Sequence, residues 1–236
     1  SVFVAATNEE SQLSASDCED NQLPEAIYTY KVEQGKNEYY GLLSVGDNKW
    51  GIDAKYIEVY YIGSILYAYG ENTIDIIDIQ SGRVTTLQSA KHIEYPSPEG
   101  FWYLSEDKKY GYANPSGEIL LPAEYTSVLY AGDDAFAVEK DSLWGFVNSK
   151  GEIILDFQYD NVGNMNGTYA EVYSKARKVK RGDVYVTTPE GWGVIDMEGH
   201  VLIETQWKGI DTSNGFAQNG IAKIYDGNKY GIVSFE

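Results

Sequence analysis

The string Leu143-Trp144-Gly145-Phe146-Val147-Asn148-Ser149-Lys150-Gly151-Glu152-Ile153-Ile154 carries the architecture of the whole chain. An aromatic-glycine pair leads into two apolar residues, a polar turn follows, and a second apolar run begins. Asn-Ser-Lys-Gly between two short apolar runs reads as a tight turn joining antiparallel strands. Upstream, the alternation in Ala135-Phe136-Ala137-Val138-Glu139 gives another half-buried strand, connected through Asp141-Ser142. Downstream, Tyr159 to Val162 leads out. Each unit is thus a meander of three or four strands of about five residues, a normal strand length.

The pair recurs as Tyr40-Gly41-Leu42-Leu43, Tyr110-Gly111-Tyr112-Ala113, Trp192-Gly193-Val194-Ile195 and Tyr230-Gly231-Ile232-Val233, with a degenerate copy at Ile74-Asp75-Ile76-Ile77. Counted from the second residue of each pair, the intervals are 34, 36, 34, 48 and 38. A second marker keeps step with the first. Gly117-Glu118-Ile119-Leu120-Leu121-Pro122 leads to Tyr125 and Val128, and Gly151-Glu152-Ile153-Ile154-Leu155 leads to Tyr159 and Val162. Gly199-His200-Val201-Leu202-Ile203 leads to Trp207 and Ile210, with weaker copies at Tyr56 and Val59 and at Ala90 and Ile93. Trp50-Gly51 mimics the first marker, but the phase set by Tyr56 places Trp50 with Ile119 in the second; Tyr40-Gly41 holds the pair position. The glycine of each pair is expected to let an aromatic ring on a neighbouring strand lie against bare backbone.

A unit this small cannot bury its own apolar face and must stack on its neighbours. The fold class is therefore all-β, about six tandem antiparallel meanders. Two architectures satisfy stacking: a propeller-like closed ring, which is favoured, and an open β-superhelix. The hairpin-like unit Leu66 to Val84 resembles inner propeller strands, and Val2 to Ala6 would supply a closing strand. A period near 34 is tight for a propeller blade, which usually needs ~40 residues. Residues 1–27 form a polar lead-in with a possible closing strand at 2–6. Residues 28–236 form the repeat domain, with an enlarged hairpin at 163–190.

With these residues in hand, the chain resembles the bacterial WG-repeat family, in which Lys-Trp-Gly-Phe-Ile-Asp precedes a glycine and a Val-Ile-Pro segment. Leu143 to Ile154, Gly191 to Ile203, and Leu120-Leu121-Pro122 before Tyr125 carry the likeness, which runs from about Tyr28 onward. Three copies have Tyr for Trp, the second is degenerate and the fifth is enlarged. The resemblance implies a repeat scaffold of an exported or surface protein (bacterial periplasm, cell surface or secreted) and transfers no catalytic residue.

Composition agrees. Tyr numbers 21 and Gly 24, against two Met, which favours pleated, half-buried surfaces and turns. The net charge of -18 repels a phosphate backbone, so nucleic acid is not an expected partner. No apolar stretch reaches the ~20 residues of a membrane span. Cys18 is the single cysteine, so no internal disulfide forms. Ser1 to Ala6 lacks the charged start and the length of a signal sequence.

Function is sought in two places. The fourth interval, which belongs to the fifth unit, is about 14 residues longer than the first and holds Lys175, Arg177, Lys178, Lys180 and Arg181, five of eighteen basic residues. Tyr173 and Tyr185 flank them. Insertions in repeat proteins map to loops and often to binding faces. The stretch reads either as a solvated hairpin or as a docking element for an acidic partner, protein or polyanionic glycan. The second place is a set of aromatics, Tyr39, Tyr60, Tyr61, Tyr95, Phe101, Trp102 and Tyr103, which cannot all point inward if strands alternate faces. Exposed rings of this kind suit glycan or peptide binding. The chemistry-bearing motifs are missing: there is no P-loop, dinucleotide fingerprint, zinc cluster or EF-hand string, so no cofactor or metal is expected. His92 and His200 fall in variable parts of a repeat, where a surface or packing role is expected. The leading reading is a non-catalytic binding or scaffold protein. The alternatives are a propeller-type carboxylate glycosidase and a purely structural envelope protein.

Overall fold

The computed structural model describes residues 27–45, 49–88, 90–213 and 215–235, excepting the side chains of Val179 and Arg181. The possible closing strand 2–6 and all of the lead-in but Ile27 lie outside the described residues. Contacts cluster the described residues into two units: those up to His92 with Pro115–Gly117, and Ile93–Asn114 with those from Glu118 onward.

In the first unit, β1 (Ile27–Gln34), β2 (Asn37–Ser44) and β3 (Trp50–Tyr56) form a three-stranded meander. A four-stranded meander follows, of β4 (Glu58–Ile62), β5 (Ile65–Tyr69), β6 (Thr73–Asp78) and β7 (Val84–Gln88). Ile27, Leu42, Tyr56, Leu66, Ala68 and Ile77 pack together as their core. The phase of Trp50 is settled by register: Tyr40 lies opposite Tyr56, and Trp50, on the following strand, lies opposite Ser44. Trp50 instead donates its indole N–H to the Ile79 carbonyl at 3.0 Å. It sits where any side chain on Gly82, which has a φ of 67°, would collide with it.

The second unit starts within β8 (Ala90–Glu94), which joins β9 (Phe101–Ser105), β10 (Tyr110–Ala113) and β11 (Ile119–Tyr125) in one meander. The next is β12 (Ser127–Gly132), β13 (Ala135–Lys140), β14 (Leu143–Asn148) and β15 (Ile153–Tyr159). The enlarged repeat runs β16 (Asn161–Met165), β17 (Tyr169–Ser174), an inserted two-stranded ribbon of β18 (Lys178–Arg181) and β19 (Val184–Thr187), then β20 (Gly191–Asp196) and β21 (Val201–Trp207). Last come β22 (Gly209–Asp211), a 3-10 turn at Ala217–Asn219, β23 (Ile221–Tyr225) and β24 (Tyr230–Ser234).

Register explains why two markers kept step along the chain: they are cross-strand partners. Tyr110 faces Tyr125, Trp144 faces Tyr159 and Trp192 faces Trp207, as Tyr40 faces Tyr56. After each aromatic pair the fourth strand bulges, so that Tyr112 meets Leu121, Phe146 meets Leu155 and Val194 meets Ile203. The glycine of the pair has two uses. At Gly41 and Gly111 it makes room for the rings of Tyr30 and Tyr103 on the preceding strand. At Gly145 and Gly193 it admits the bulged backbone of the following strand, with the Leu155 and Ile203 carbonyl oxygens where a methyl group would be.

Candidate functional site

The ribbon β18–β19 stands between β17 and β20 as its own two-stranded sheet. Lys178 pairs with Thr187, Val179 with Val186, Lys180 with Tyr185 and Arg181 with Val184. Strand alternation puts Lys178, Lys180, Tyr185 and Thr187 on one face. Lys178, Lys180 and Thr187 are exposed, and Tyr185 is 71% exposed. The result is a cationic face with one open aromatic ring, on a chain of net charge -18.

Four of the basic residues divide into two roles. The base of the ribbon is clamped to Asp160, the single residue that bends β15 into β16. Arg177 donates to Asp160 Oδ2 at 2.5 Å and to the Gln158 carbonyl at 3.2 Å. The backbone N–H of Lys175 also donates to Asp160 Oδ2, at 2.8 Å, and its ammonium stands 3.8 Å from Oδ1. Arg177 and Thr188 close the ribbon's foot with a reciprocal pair of bonds at 3.0 and 2.8 Å. Lys175 and Arg177 therefore hold the ribbon in place, while Lys178 and Lys180 enter no ion pair among the described residues. The side chain of Arg181 lies outside the described residues. Asp160→Ala should cost about 2 kcal/mol, since the Asp160 side chain is only 10% exposed and a charge-assisted clamp is lost. Urea denaturation of the variant reads this directly. Tyr173 is half-buried, its ring packed on Trp192 with centroids 5.3 Å apart and its hydroxyl donating to Glu190 at 2.7 Å.

The aromatic stretch Phe101-Trp102-Tyr103 corrects the expectation of a binding row. Phe101 and Trp102 are fully buried and Tyr103 is 8% exposed. Trp102 packs against Tyr112, Tyr125 and Phe136 with centroids 5.0, 5.8 and 5.7 Å away, as the hub of a core cluster. Both faces of β9 are covered, so alternation exposes neither. Of the other rings, Tyr60 and Tyr95 are partly open, at 39% and 37%. Tyr39 and Tyr61 are half-buried.

His200 brings a different cluster together. Asp196, Glu198 and His200 offer ligand atoms within 4.8 Å of one another, and Asp196 and Glu198 line a hollow of about 490 Å³ with Tyr169, Leu202 and Phe235. The arrangement is a turn used repeatedly by the chain. Asp196 Oδ1 accepts the N–H groups of Glu198 and His200, as Asn148 Oδ1 accepts those of Lys150 and Glu152. Burial works to raise the Asp196 pKa, but bonds from the His200 ring and these N–H groups outweigh it and hold the carboxyl below the usual range. His92 is exposed, with its ring 6.4 Å from that of Tyr69.

Two buried carboxylates went unnoticed in the sequence. Asp75 occupies the glycine position of the degenerate copy, 1% exposed, and accepts from Lys55, Tyr56 and Thr86, each at 2.7 Å. Glu171 on β17, 4% exposed, accepts the backbone N–H and hydroxyl of Thr212 at 2.7 and 2.9 Å and the N–H of Asn164 at 3.0 Å. The signal available for Asp75 was a charge inside an otherwise apolar strand, Ile-Asp-Ile-Ile. Both are fully engaged in joining neighbouring sheets.

Tandem antiparallel meanders, locked by paired aromatics and interrupted by one basic ribbon, define an all-β repeat protein. Three of its repeats are of the WG type: the WG containing repeat model matches residues 110–144, 144–172 and 192–230. No curated protein matches the chain. Among solved structures it is similar to a eukaryotic initiation factor, at 12% identity and a TM-score of 0.43, over 89% of this chain and 61% of that one. It is also similar to the Neurospora crassa Pan2 WD40 domain, at 9% identity and 0.33, covering 86% and 72%. The WD40 β-propeller domain of Doa1 follows at 13% and 0.30, covering 87% and 79%. At such low scores these likenesses do not bear on what the chain does.

Proposed function

We propose that the chain is a non-catalytic binding or scaffold protein whose ribbon β18–β19 docks an acidic partner. The observation that carries this reading is the open face of Lys178, Lys180 and Tyr185, held out by a clamp that uses other basic residues. Positive charge on an otherwise acidic molecule steers acidic surfaces to one place and repels them elsewhere. The WG repeats support a setting on the bacterial exterior, where acidic proteins and polyanionic glycans are both available.

The test neutralises Lys178, Lys180 and Arg181 together as Gln, leaving Arg177 and Asp160 intact. Poly-L-glutamate and a sulfated glycan serve as probes in fluorescence anisotropy at low salt. Binding of at least one probe is expected, with at least a tenfold loss in the triple variant and steep weakening by salt. The melting temperature should not move, because Lys178 and Lys180 are exposed and the clamp on Asp160 is left intact. Equal binding by wild type and variant, or binding by neither, sinks the reading. Preference between the probes tells a protein partner from a glycan.

A further inference from the structure

The ribbon β18–β19 is an extension of the hairpin beneath it. The register of β17 on β20, Tyr169 with Asp196 to Ser174 with Gly191, runs on unbroken into Lys178 with Thr187 and Arg181 with Val184. What changes along the hairpin is its company. β16 begins beside Tyr173, and β21 ends at Trp207 beside Trp192. Past those points the hairpin runs on as a two-stranded sheet, with no third strand among the described residues. Two strands alone are marginal in water; a third strand or a packed face is what stabilises them.

The hydrogen bonds show which backbone groups face outward. Thr188 donates its N–H to the Arg177 carbonyl at 2.8 Å. Alternation then makes Val179 with Val186, and Arg181 with Val184, hydrogen-bonded pairs as well. The N–H and C=O groups of Tyr185 and Thr187 on β19 therefore point out of one edge, and those of Lys178 and Lys180 out of the other. The two edges differ. β18 carries a lysine at each outward position, a common guard of an open edge, and its foot is taken by the clamp on Asp160. β19 is Val184-Tyr185-Val186-Thr187, four strong strand formers with no charge, proline or bulge. All four are exposed, with Val184 at 60% and Val186 at 37%. β17 and β20 flank the ribbon in the chain, so the openness of β19 arises inside a complete repeat.

We propose that β19 is the docking edge, and that the acidic partner adds to it as an antiparallel strand in which acidic and aliphatic residues alternate. This deepens the docking reading and rests on it. Strand alternation puts Val184 and Val186 on the face opposite Lys178, Lys180, Tyr185 and Thr187. An added strand presents every second residue to each face. Aliphatic side chains on one side cover Val184 and Val186. Acidic ones on the other lie beside Tyr185 and Thr187, with Lys178 and Lys180 two strand spacings off, ~10 Å. A lysine and a glutamate together span that distance, and Thr187 is small enough to be reached over. A uniformly acidic strand would set carboxylates on the valines, and a uniformly aliphatic one would leave the lysines unpaired. Main-chain bonds thus supply affinity, and the alternation supplies selection. A second copy of the ribbon fits less well, because β19 has no acidic residue and each chain carries a net charge of -18.

The experiment uses the whole chain and the fluorescent peptide Thr-Glu-Val-Glu-Val-Glu-Thr, read by anisotropy. It should bind about tenfold more tightly than Thr-Glu-Glu-Glu-Val-Val-Thr, which has the same composition and charge. In antiparallel pairing the glutamate amides face β19 and the valine amides face away. N-methylation at the glutamates should abolish binding, whereas N-methylation at the valines should leave it within about twofold. Both peptides are tested on the wild-type chain, so no variant has to fold. Thr187→Pro removes one outward donor and none of the ribbon's own bonds, and should weaken binding about tenfold. If poly-L-glutamate binds but alternation gives no gain, or both methylations act equally, strand addition is overturned and the docking reading stands. Binding of no probe overturns both. Sedimentation as a dimer that Thr187→Pro converts to a monomer assigns the edge to a second copy, and also overturns the proposal.

Discussion

Replacing Asp75 with alanine is expected to destabilise the first unit by about 3 kcal/mol, the range in which removing one partner of a buried charge network falls. Lys55 and Thr86 are exposed and regain water. The Tyr56 hydroxyl does not: the residue is 1% exposed and loses its acceptor. Burial, and then the bond to Asp75, push the Tyr56 pKa upward, so the phenol stays protonated and donates at every working pH. Asp75→Gly restores the residue found in the other copies and should be no better than alanine, because Tyr56 and Lys55 are adapted to the carboxylate. Asp75→Asn keeps an acceptor and should cost about 1 kcal/mol. A pH series distinguishes charge from shape. Burial alone raises the Asp75 pKa, but bonds from Lys55, Thr86 and Tyr56 outweigh it and leave the carboxyl below the ordinary value. A depressed folded pKa gives stability that is present above the unfolded value of about 3.9 and lost as pH falls through the folded one. The gap between wild type and Asp75→Asn should therefore be full at pH 7 and shrink progressively below pH ~4. Urea midpoints at the two extremes measure it. A gap that is constant with pH would mean the carboxylate acts by shape alone.

How much of the fold and its sites was legible follows from which interactions repeat. The pairing of Trp144 with Tyr159 recurs with Trp or Tyr in three other sheets, so period and phase could be read from one chain, down to the placing of Trp50. The ribbon was legible as an interruption of that period. What the periodicity could not show was what happens only once. Asp75 replaces a glycine in one copy, and its partners lie 11 to 20 residues away in sequence. The clamp at Asp160 separates Lys175 and Arg177 from Lys178 and Lys180, although in sequence they form one run. Phe101-Trp102-Tyr103 misled for a different reason. Alternation exposes one face of a sheet only when that face meets water, and β9 is covered on both sides.

The aromatic-glycine pair makes a second strong prediction, because one motif position should give opposite results in two sheets. Gly193→Ala should destabilise the second unit by about 3 kcal/mol, at the upper end for overpacking a rigid site. The added methyl would lie 2.4 Å from the Ile203 carbonyl oxygen and 2.9 Å from both the Glu204 carbonyl carbon and the Thr205 nitrogen. All three are backbone atoms of the β21 bulge, so no rotamer change relieves the collision. The bulge would have to open, separating Trp192 from Trp207 and Val194 from Ile203. Gly231→Ala meets only the Ile224 side chain, at 3.5 Å, an ordinary contact. There the methyl reduces the freedom of the unfolded chain and should stabilise by about 0.5 kcal/mol. Urea denaturation of the two variants, side by side, compares them without reference to any ligand. Equal losses would show that the glycine is required by the strand itself. Unequal losses of the stated size would show that its role is to receive a neighbouring backbone, as Gly193 receives the bulge of β21.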